Sequence, residues 1–354
     1  MSDANARRGL LPERGALLGR DPLLGRDPLL GRGPIFVGGL ERTGTSLMYA
    51  LLGSHPNIAM TRRTNWWTYF YGRFGDLAVD ANLERCLATM LRYRRHRKLQ
   101  PDPERLRREL RAGEPTYARL FALMEAHHAE RLGKPRWGDK SLHTERYADL
   151  VFEHFPDARI LHMVRDPRDR YASVVRRWKR VRGGVGAGTA AWLASIRLGE
   201  RNLARYPGRY RLVRYEDLAT RPEATLRDVC AFIGEPFDPQ MLEMRGAETF
   251  REAGNSSYGQ IPEGTISTSS IGRFRTVLRP AEIAFIQEVA GRVMAAHGYP
   301  LEPVPLAGPA AVRYRLVDRP WNLAKLAAWR ARERAYDLVG RVPSAHTMVE
   351  AELT

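Results

Sequence analysis

Short apolar runs alternate with longer amphipathic stretches through most of this chain. Ile35–Val37 reads as a buried strand, and Thr45–Gly53 as a helix opening directly after a glycine-rich loop. His55-Pro56-Asn57 marks a turn. Arg159–Val164 is a second apolar strand, followed by Arg165-Asp166-Pro167 and a basic helix running through Arg182. Tyr210–Arg214 ends a further helix-to-strand step. Strands separated by helices predict a parallel sheet with both faces covered.

The intervening segments carry weaker signals. Residues 62–100 mix arginines with Trp66, Trp67, Tyr69, Phe70 and Tyr71, which suit either a core or the wall of a binding site. Trp137–His143 is expected as a connector, residues 183–188 as a mobile Gly-rich loop, and 254–275 as a loop over the site. The boundaries predict a low-complexity leader over 1–33, a catalytic domain over 34–300 and a basic extension over 301–354. The leader holds the short tandem LLGRDP-LLGRDP-LLGRGP at 17–34, whose period is far below that of a solenoid. In the extension, 313–341 is expected to be a helix that packs on the domain or makes a peripheral membrane or partner contact.

Composition changes this picture in one respect. The 354 residues carry a formal charge of +17, yet only five of the basic residues are lysines. The excess favours anionic partners, but an arginine-dominated composition also follows from codon bias in a GC-rich genome, so charge alone does not point to nucleic acid. Cys86 and Cys230 lie far apart without metal-ligand spacing, which leaves no disulfide framework or zinc site to expect. No continuous apolar segment follows the early arginines, and no run approaches the roughly 18 residues of a membrane span. A cytoplasmic protein is the expectation.

The candidate chemistry starts at Pro34–Ser46, PIFVGGLERTGTS. Gly39, Gly44 and Ser46 keep the spacing of a phosphate-binding loop of the form G-x-x-x-x-G-K-[ST], but Thr45 stands where the lysine belongs and the cation is Arg42. Amides at a helix N-terminus bind anions because their hydrogens are unpaired and the helix dipole adds positive potential. A loop that keeps this cradle and moves its cation suits a donor without the usual β,γ-triphosphate. In a second segment, a strand ends in Arg165 and Ser173 follows eight residues later inside the next helix, so a guanidinium and a hydroxyl can meet one further phosphate. The third is Tyr215-Glu-Asp-Leu218, at a strand end.

Taken in this order, the three segments resemble the PAPS-dependent sulfotransferases, in a bacterial form similar to the tyrosylprotein branch. That family's 5′-phosphosulfate loop is P-[KR]-[ST]-G-T-[ST], matched by Glu41–Ser46 except for glutamate in place of proline. The resemblance spans about 34–300 and implies an α/β fold of the P-loop type, a three-layer sandwich with a central parallel sheet flanked by helices. It also implies 3′-phosphoadenosine 5′-phosphosulfate (PAPS) as donor, PAP as product and no metal. By the family's pattern Arg42, Thr43, Gly44, Thr45 and Ser46 would hold the 5′-phosphosulfate, Arg165 and Ser173 the 3′-phosphate, and Tyr215 would lie near adenine. Lys140, sixteen residues before Pro156, matches a lysine that would stabilise the transferring group.

The resemblance does not extend to the general base. The branch's glutamate, nineteen residues beyond the loop glycine, is here Arg63, with Arg62 beside it, and arginine cannot act as a base in this role. His143, three residues after Lys140, is the replacement candidate, with Asp139 and Glu41 as alternatives. Catalysis is thus expected from Lys140, His143 and Arg42. The expected acceptor is a hydroxyl of a small molecule, glycolipid, saccharide or secondary metabolite. The competing readings are a P-loop kinase or nucleotide-handling enzyme, opposed by Thr45 and the lack of a clear Walker B aspartate, and a non-catalytic basic module for nucleic acid or membrane. Nucleic acid is not expected as a partner.

Overall fold

The computed structural model describes residues 33–178, 183–245 and 265–339, the side chains of 336–339 excepted. Five strands, β1 (Ile35–Gly38), β2 (Ile58–Arg62), β3 (Arg136–Lys140), β4 (Arg159–Val164) and β5 (Tyr210–Arg214), form one sheet in the order β2-β3-β1-β4-β5. Every pairing is parallel, so all five C-terminal ends lie along one edge. The chain adds strands on both sides of β1, which pairs with β3 and β4 and marks the topological switch point where ligands of open α/β sheets bind.

Alternation along the strands divides the core into two layers. Phe36, Trp137 and Ile160 face one layer with Trp66, Phe70, Phe121 and Phe155. Ile35, Val37, Leu161 and Met163 face the other, against helix α1 (Thr45–Gly53) and the Pro222–Ile233 helix. This is the three-layer α/β sandwich. A third cluster, around Trp192, Phe285 and Tyr299, joins the Gly184–Arg205 and Pro280–Ala296 helices to the sheet end near Val164. The Arg319–Val339 helix of the C-terminal extension packs along Gly184–Arg205 and contributes Leu326 to that cluster.

Three local expectations are corrected. Trp137–His143 is not all connector: its first part is β3, with Asp139 and Lys140 both buried. Two polar residues hide a strand that pairs on both sides, and only the neighbouring strands reveal it. Residues 183–188 are not a loop beyond Gly183, because the long helix begins at Gly184. Its glycines permit close packing. A Cβ on Gly186 would collide with the Asn322 carbonyl, and one on Gly188 would lie 2.9 Å from Tyr171. The basic helix after β4 ends at Arg177, and 179–182 lie outside the described residues, as do the leader through 32 and the 254–264 part of the expected loop.

The aromatic run after β2 is core. Trp66 and Phe70 are fully buried and stacked at 5.3 Å, and Trp66 also stacks on Phe121 at 5.3 Å. Rings of this size contribute about 2–3 kcal/mol each when buried, which outweighs a place on an open site wall.

Candidate active site

The donor loop leaves β1 at the switch point. Gly39 (φ 120°), Arg42 (φ 70°) and Gly44 (φ 97°) turn it sharply into α1. A Cβ on Gly44 would stand 2.6 Å from Tyr215 Cδ2, so glycine is required there for space as well as for backbone angle. No side chain caps α1, which leaves amide donors of its first turn open to an anion. Thr43 is turned inward, its hydroxyl donating to the Leu40 carbonyl at 2.8 Å. Glu41 forms an ion pair with the buried Arg170, whose Nε also donates to the Glu41 carbonyl at 3.2 Å.

The three sequence segments meet around this loop. Arg42 Nε donates to Ser173 Oγ at 2.8 Å. Arg165 donates through Nη1 to the Arg42 carbonyl at 3.2 Å, and its guanidinium carbon stands 4.3 Å over the Tyr215 ring. Arg165 Nε is buried without a hydrogen-bond partner among the described residues. A group not read from the sequence completes the cluster: Ser270 accepts from Arg165 Nη2 through its carbonyl at 2.6 Å, and its hydroxyl lies 2.6 Å from that of Tyr215. Asp169 holds this segment by accepting from the Gly272 and Phe274 amides at 2.7 and 3.0 Å. Ser46 is partly exposed and Thr45 buried at the start of α1, beside the same cradle.

Lys140 lies on the opposite side of β1 from Arg165. It is the last residue of β3, in register with Val37 of β1 and Arg62 of β2. Arg63 donates its amide to the Lys140 carbonyl at 2.7 Å. Burial, then the positive charges of Arg62, Arg63 and Arg95, lower the Lys140 ammonium to about 7, against the opposing pull of Asp139. Asp139 points to the other face of β3, where Thr61 Oγ1 lies 3.1 Å from its Oδ1 and 3.0 Å from Glu125 Oε1. Burial and the neighbouring Asp139 hold the Glu125 carboxyl well above the usual carboxylate range. Asp139 shares that buried pocket instead of opening to the loop.

His143 sits in a left-handed conformation (φ 63°) just after β3, its amide donating to the Gly39 carbonyl at 3.2 Å. The side chain is 40% exposed, and Nδ1 lies 4.0 Å from Glu145 Oε1. Glu145 itself is buried and accepts from the Gly39 amide at 3.0 Å and from Ser195 Oγ at 2.9 Å. Sequence reasoning missed Glu145, Ser195, Ser270 and Arg170, because their partners lie tens of residues away and no spacing marks them.

The model of the sulfotransferase family matches residues 34–239, more than half of the chain. The chain belongs to the sulfotransferase family. Among curated relatives, protein-tyrosine sulfotransferase A of Caenorhabditis elegans is 27% identical over 224 residues, covering 59% of this chain and 51% of that protein. Carbohydrate sulfotransferase 3 of Mus musculus is 29% identical over 43% of this chain and 36% of its own length. The chain thus spans about half or less of these relatives. Among solved structures, the sulfotransferase domain of the Synechococcus PCC 7002 olefin synthase matches with a TM-score of 0.55 at 20% identity, covering 76% of this chain and 95% of that one. That likeness concerns the fold.

Proposed function

We propose that this protein is an enzyme that transfers the sulfuryl group of PAPS to an acceptor hydroxyl, releasing PAP. The observation that carries the reading is the convergence of Arg42, Arg165, Ser173 and Tyr215 at the uncapped N-terminus of α1. Arg42 and Arg165 lie beside a helix N-terminus, which suits a ligand that carries phosphate groups. Arg165 Nε, buried with no hydrogen-bond partner among the described residues, is a donor left over for such a phosphate. Arg42 and the amides at Thr43, Gly44, Thr45 and Ser46 would hold the 5′-phosphosulfate. Arg165 and Ser173 would hold the 3′-phosphate, with Tyr215 near adenine.

Sulfuryl transfer resembles phosphoryl transfer in being in-line and loose, so positioning and charge are the protein's main tools. Lys140 supplies that charge on the acceptor side. Its depressed pKa means that an arriving sulfuryl group favours protonation, concentrating the cation where negative charge collects. His143 serves as general base. Asp139, buried on the other face of β3, and Glu41, engaged by Arg170, are less suited.

The acceptor is a small-molecule, saccharide or glycolipid hydroxyl, and Arg62, Arg63 and Arg95 beside Lys140 favour one with a neighbouring anionic group. A glycolipid is supported by the outer face of the C-terminal extension, where Val312, Leu316, Val317 and Trp321 are exposed beside Arg313, Arg315 and Arg319. That pattern suits a peripheral contact with an anionic membrane. The free, buried thiols of Cys86 and Cys230 suit a reducing cytoplasm.

Isothermal titration with PAP tests the donor site. Tight binding is expected, weakened about 10- to 100-fold in both Arg42→Ala and Arg165→Ala, the loss of a charge-assisted contact. Binding of ATP with Mg²⁺ in preference to PAP would favour the nucleotide-kinase reading instead.

A further inference from the structure

The Gly39 amide and the His143 imidazole belong to different parts of the proposed site, one to the donor loop and one to the acceptor side. A single carboxylate, that of Glu145, lies against both. It is essentially without solvent contact. Oε2 accepts from the Gly39 amide at 3.0 Å, and Oε1 accepts from Ser195 Oγ at 2.9 Å. Ser195 is itself 3.0 Å from His162 Nε2, and His162 Nδ1 is 2.7 Å from the Tyr210 hydroxyl. The Asn202 side-chain amide donates to the Glu145 main-chain carbonyl at 2.8 Å. Helix Gly184–Arg205 and strands β4 and β5 thus hold this side chain in one place.

His143 Nδ1 is buried and has no hydrogen-bond partner among the described residues, and it stands 4.0 Å from Glu145 Oε1. A shift of about 1 Å would make the bond, within the usual range for a nitrogen donor. Since 40% of the side chain is exposed while Nδ1 is not, the outward end of the ring is Nε2. The geometry assigns Glu145 as a positioning residue that holds His143 with Nδ1–H turned inward and the Nε2 lone pair turned to the acceptor, while its other oxygen fixes the first glycine of the donor loop. This inference rests on the proposed role of His143.

In the transfer step the acceptor oxygen bonds to sulfur as the bond between sulfur and the 5′-phosphate oxygen breaks, its electron pair leaving with PAP. The acceptor's proton passes to His143 Nε2, and the imidazolium so formed keeps its Nδ1–H directed at Glu145. The carboxylate then stabilises that cation and fixes the tautomer that can accept a proton. Among the described residues His162, on β4, also interacts with His143, and burial holds that imidazole below its ordinary range. Burial raises the Glu145 carboxyl, but the nearby His162 and His143 and the hydrogen bond from Ser195 outweigh it and hold the group below the usual carboxylate range, so the negative charge at this point is available.

The test is two-bond ¹H–¹⁵N NMR of histidine-labelled protein with PAP bound, the His143 signals being assigned with His143→Gln. In the wild type the neutral His143 ring is expected as the Nδ1–H tautomer. In Glu145→Gln the side-chain oxygen stays on the Gly39 amide and the new NH₂ group faces Nδ1, so the ring is expected to shift towards the Nε2–H tautomer. An Nε2–H tautomer in the wild type would overturn the assignment without any variant at Glu145. So would an Nδ1–H tautomer unchanged by Glu145→Gln in protein that still binds PAP. Failure of the wild type to bind PAP would instead strike the donor reading, which keeps the two outcomes separate.

Discussion

Lys140 shows how far a residue's chemistry depends on what surrounds it. A lysine at a strand end would normally stay charged to about pH 10.5, yet burial and three nearby arginines lower this one to about 7. Between those two values the unfolded chain binds more protons than the folded one, so stability rises with pH across that window, and the full cost of charging is felt below about 7. Lys140→Met should therefore be more thermostable than the wild type near pH 7, by roughly 3 °C or more. The advantage should shrink as pH rises, and thermal denaturation across that range checks the trend. An advantage that stays constant with pH would mean that packing, and not charge, separates the two proteins. The family resemblance singled out Lys140 by its distance from Pro156, but nothing in the sequence marked its depressed pKa. That shift comes from Arg62, Arg63 and Arg95, on segments that only the fold brings together.

At the scale of elements, the donor loop depends on glycine where backbone angle and space coincide. Gly44→Ala should fold but lose about tenfold or more in PAP affinity, since a left-handed alanine costs about 1–2 kcal/mol and its methyl would meet Tyr215. PAP titration checks this, and unchanged affinity would mean that the loop has slack. The start of helix Gly184–Arg205 offers a second case. Gly186 packs directly on the Asn322 carbonyl, so Gly186→Leu should push the C-terminal helix off its seat, and limited proteolysis should then cut within 319–339. The glycines of 183–188 read as a loop because glycine weakens an isolated helix by about 1 kcal/mol. Close contact with a second helix reverses that preference, and no local pattern announces the contact.

Across the whole molecule, the groups proposed to bind the donor gather on the β1–β4–β5 side of the switch point and Lys140 with its arginines on the β3–β2 side. The C-terminal helix reaches the same edge. Glu333 forms an ion pair with Arg146, three residues beyond His143, while Trp321 and Leu316 remain 62% and 73% exposed. The membrane contact proposed for this face predicts flotation with vesicles rich in phosphatidylglycerol but not with pure phosphatidylcholine. Trp321→Glu and Leu316→Glu should each reduce the bound fraction several-fold, and added salt should weaken it further. Equal binding by wild type and both variants would remove the contact. Among the described residues no helix is long and apolar enough to cross a membrane.

By itself the sequence determined the features that are local in the chain. Strands β1, β4 and β5, the loop with its displaced cation and the helix that follows β4 could all be read there, because a strand, a tight turn and a strand-to-helix step are each written within a dozen residues. Tertiary structure decided what depends on distant neighbours. It made strands of Ile58–Arg62 and Arg136–Lys140, turned Trp66 and Phe70 into the core, and converted Gly184–Gly188 into helix. It also brought Ser270 to Arg165 and Glu145 to Gly39, across 105 and 106 residues of chain. Burial and electrostatic environment are sums over everything that packs around a group, and that sum exists only once the chain has folded.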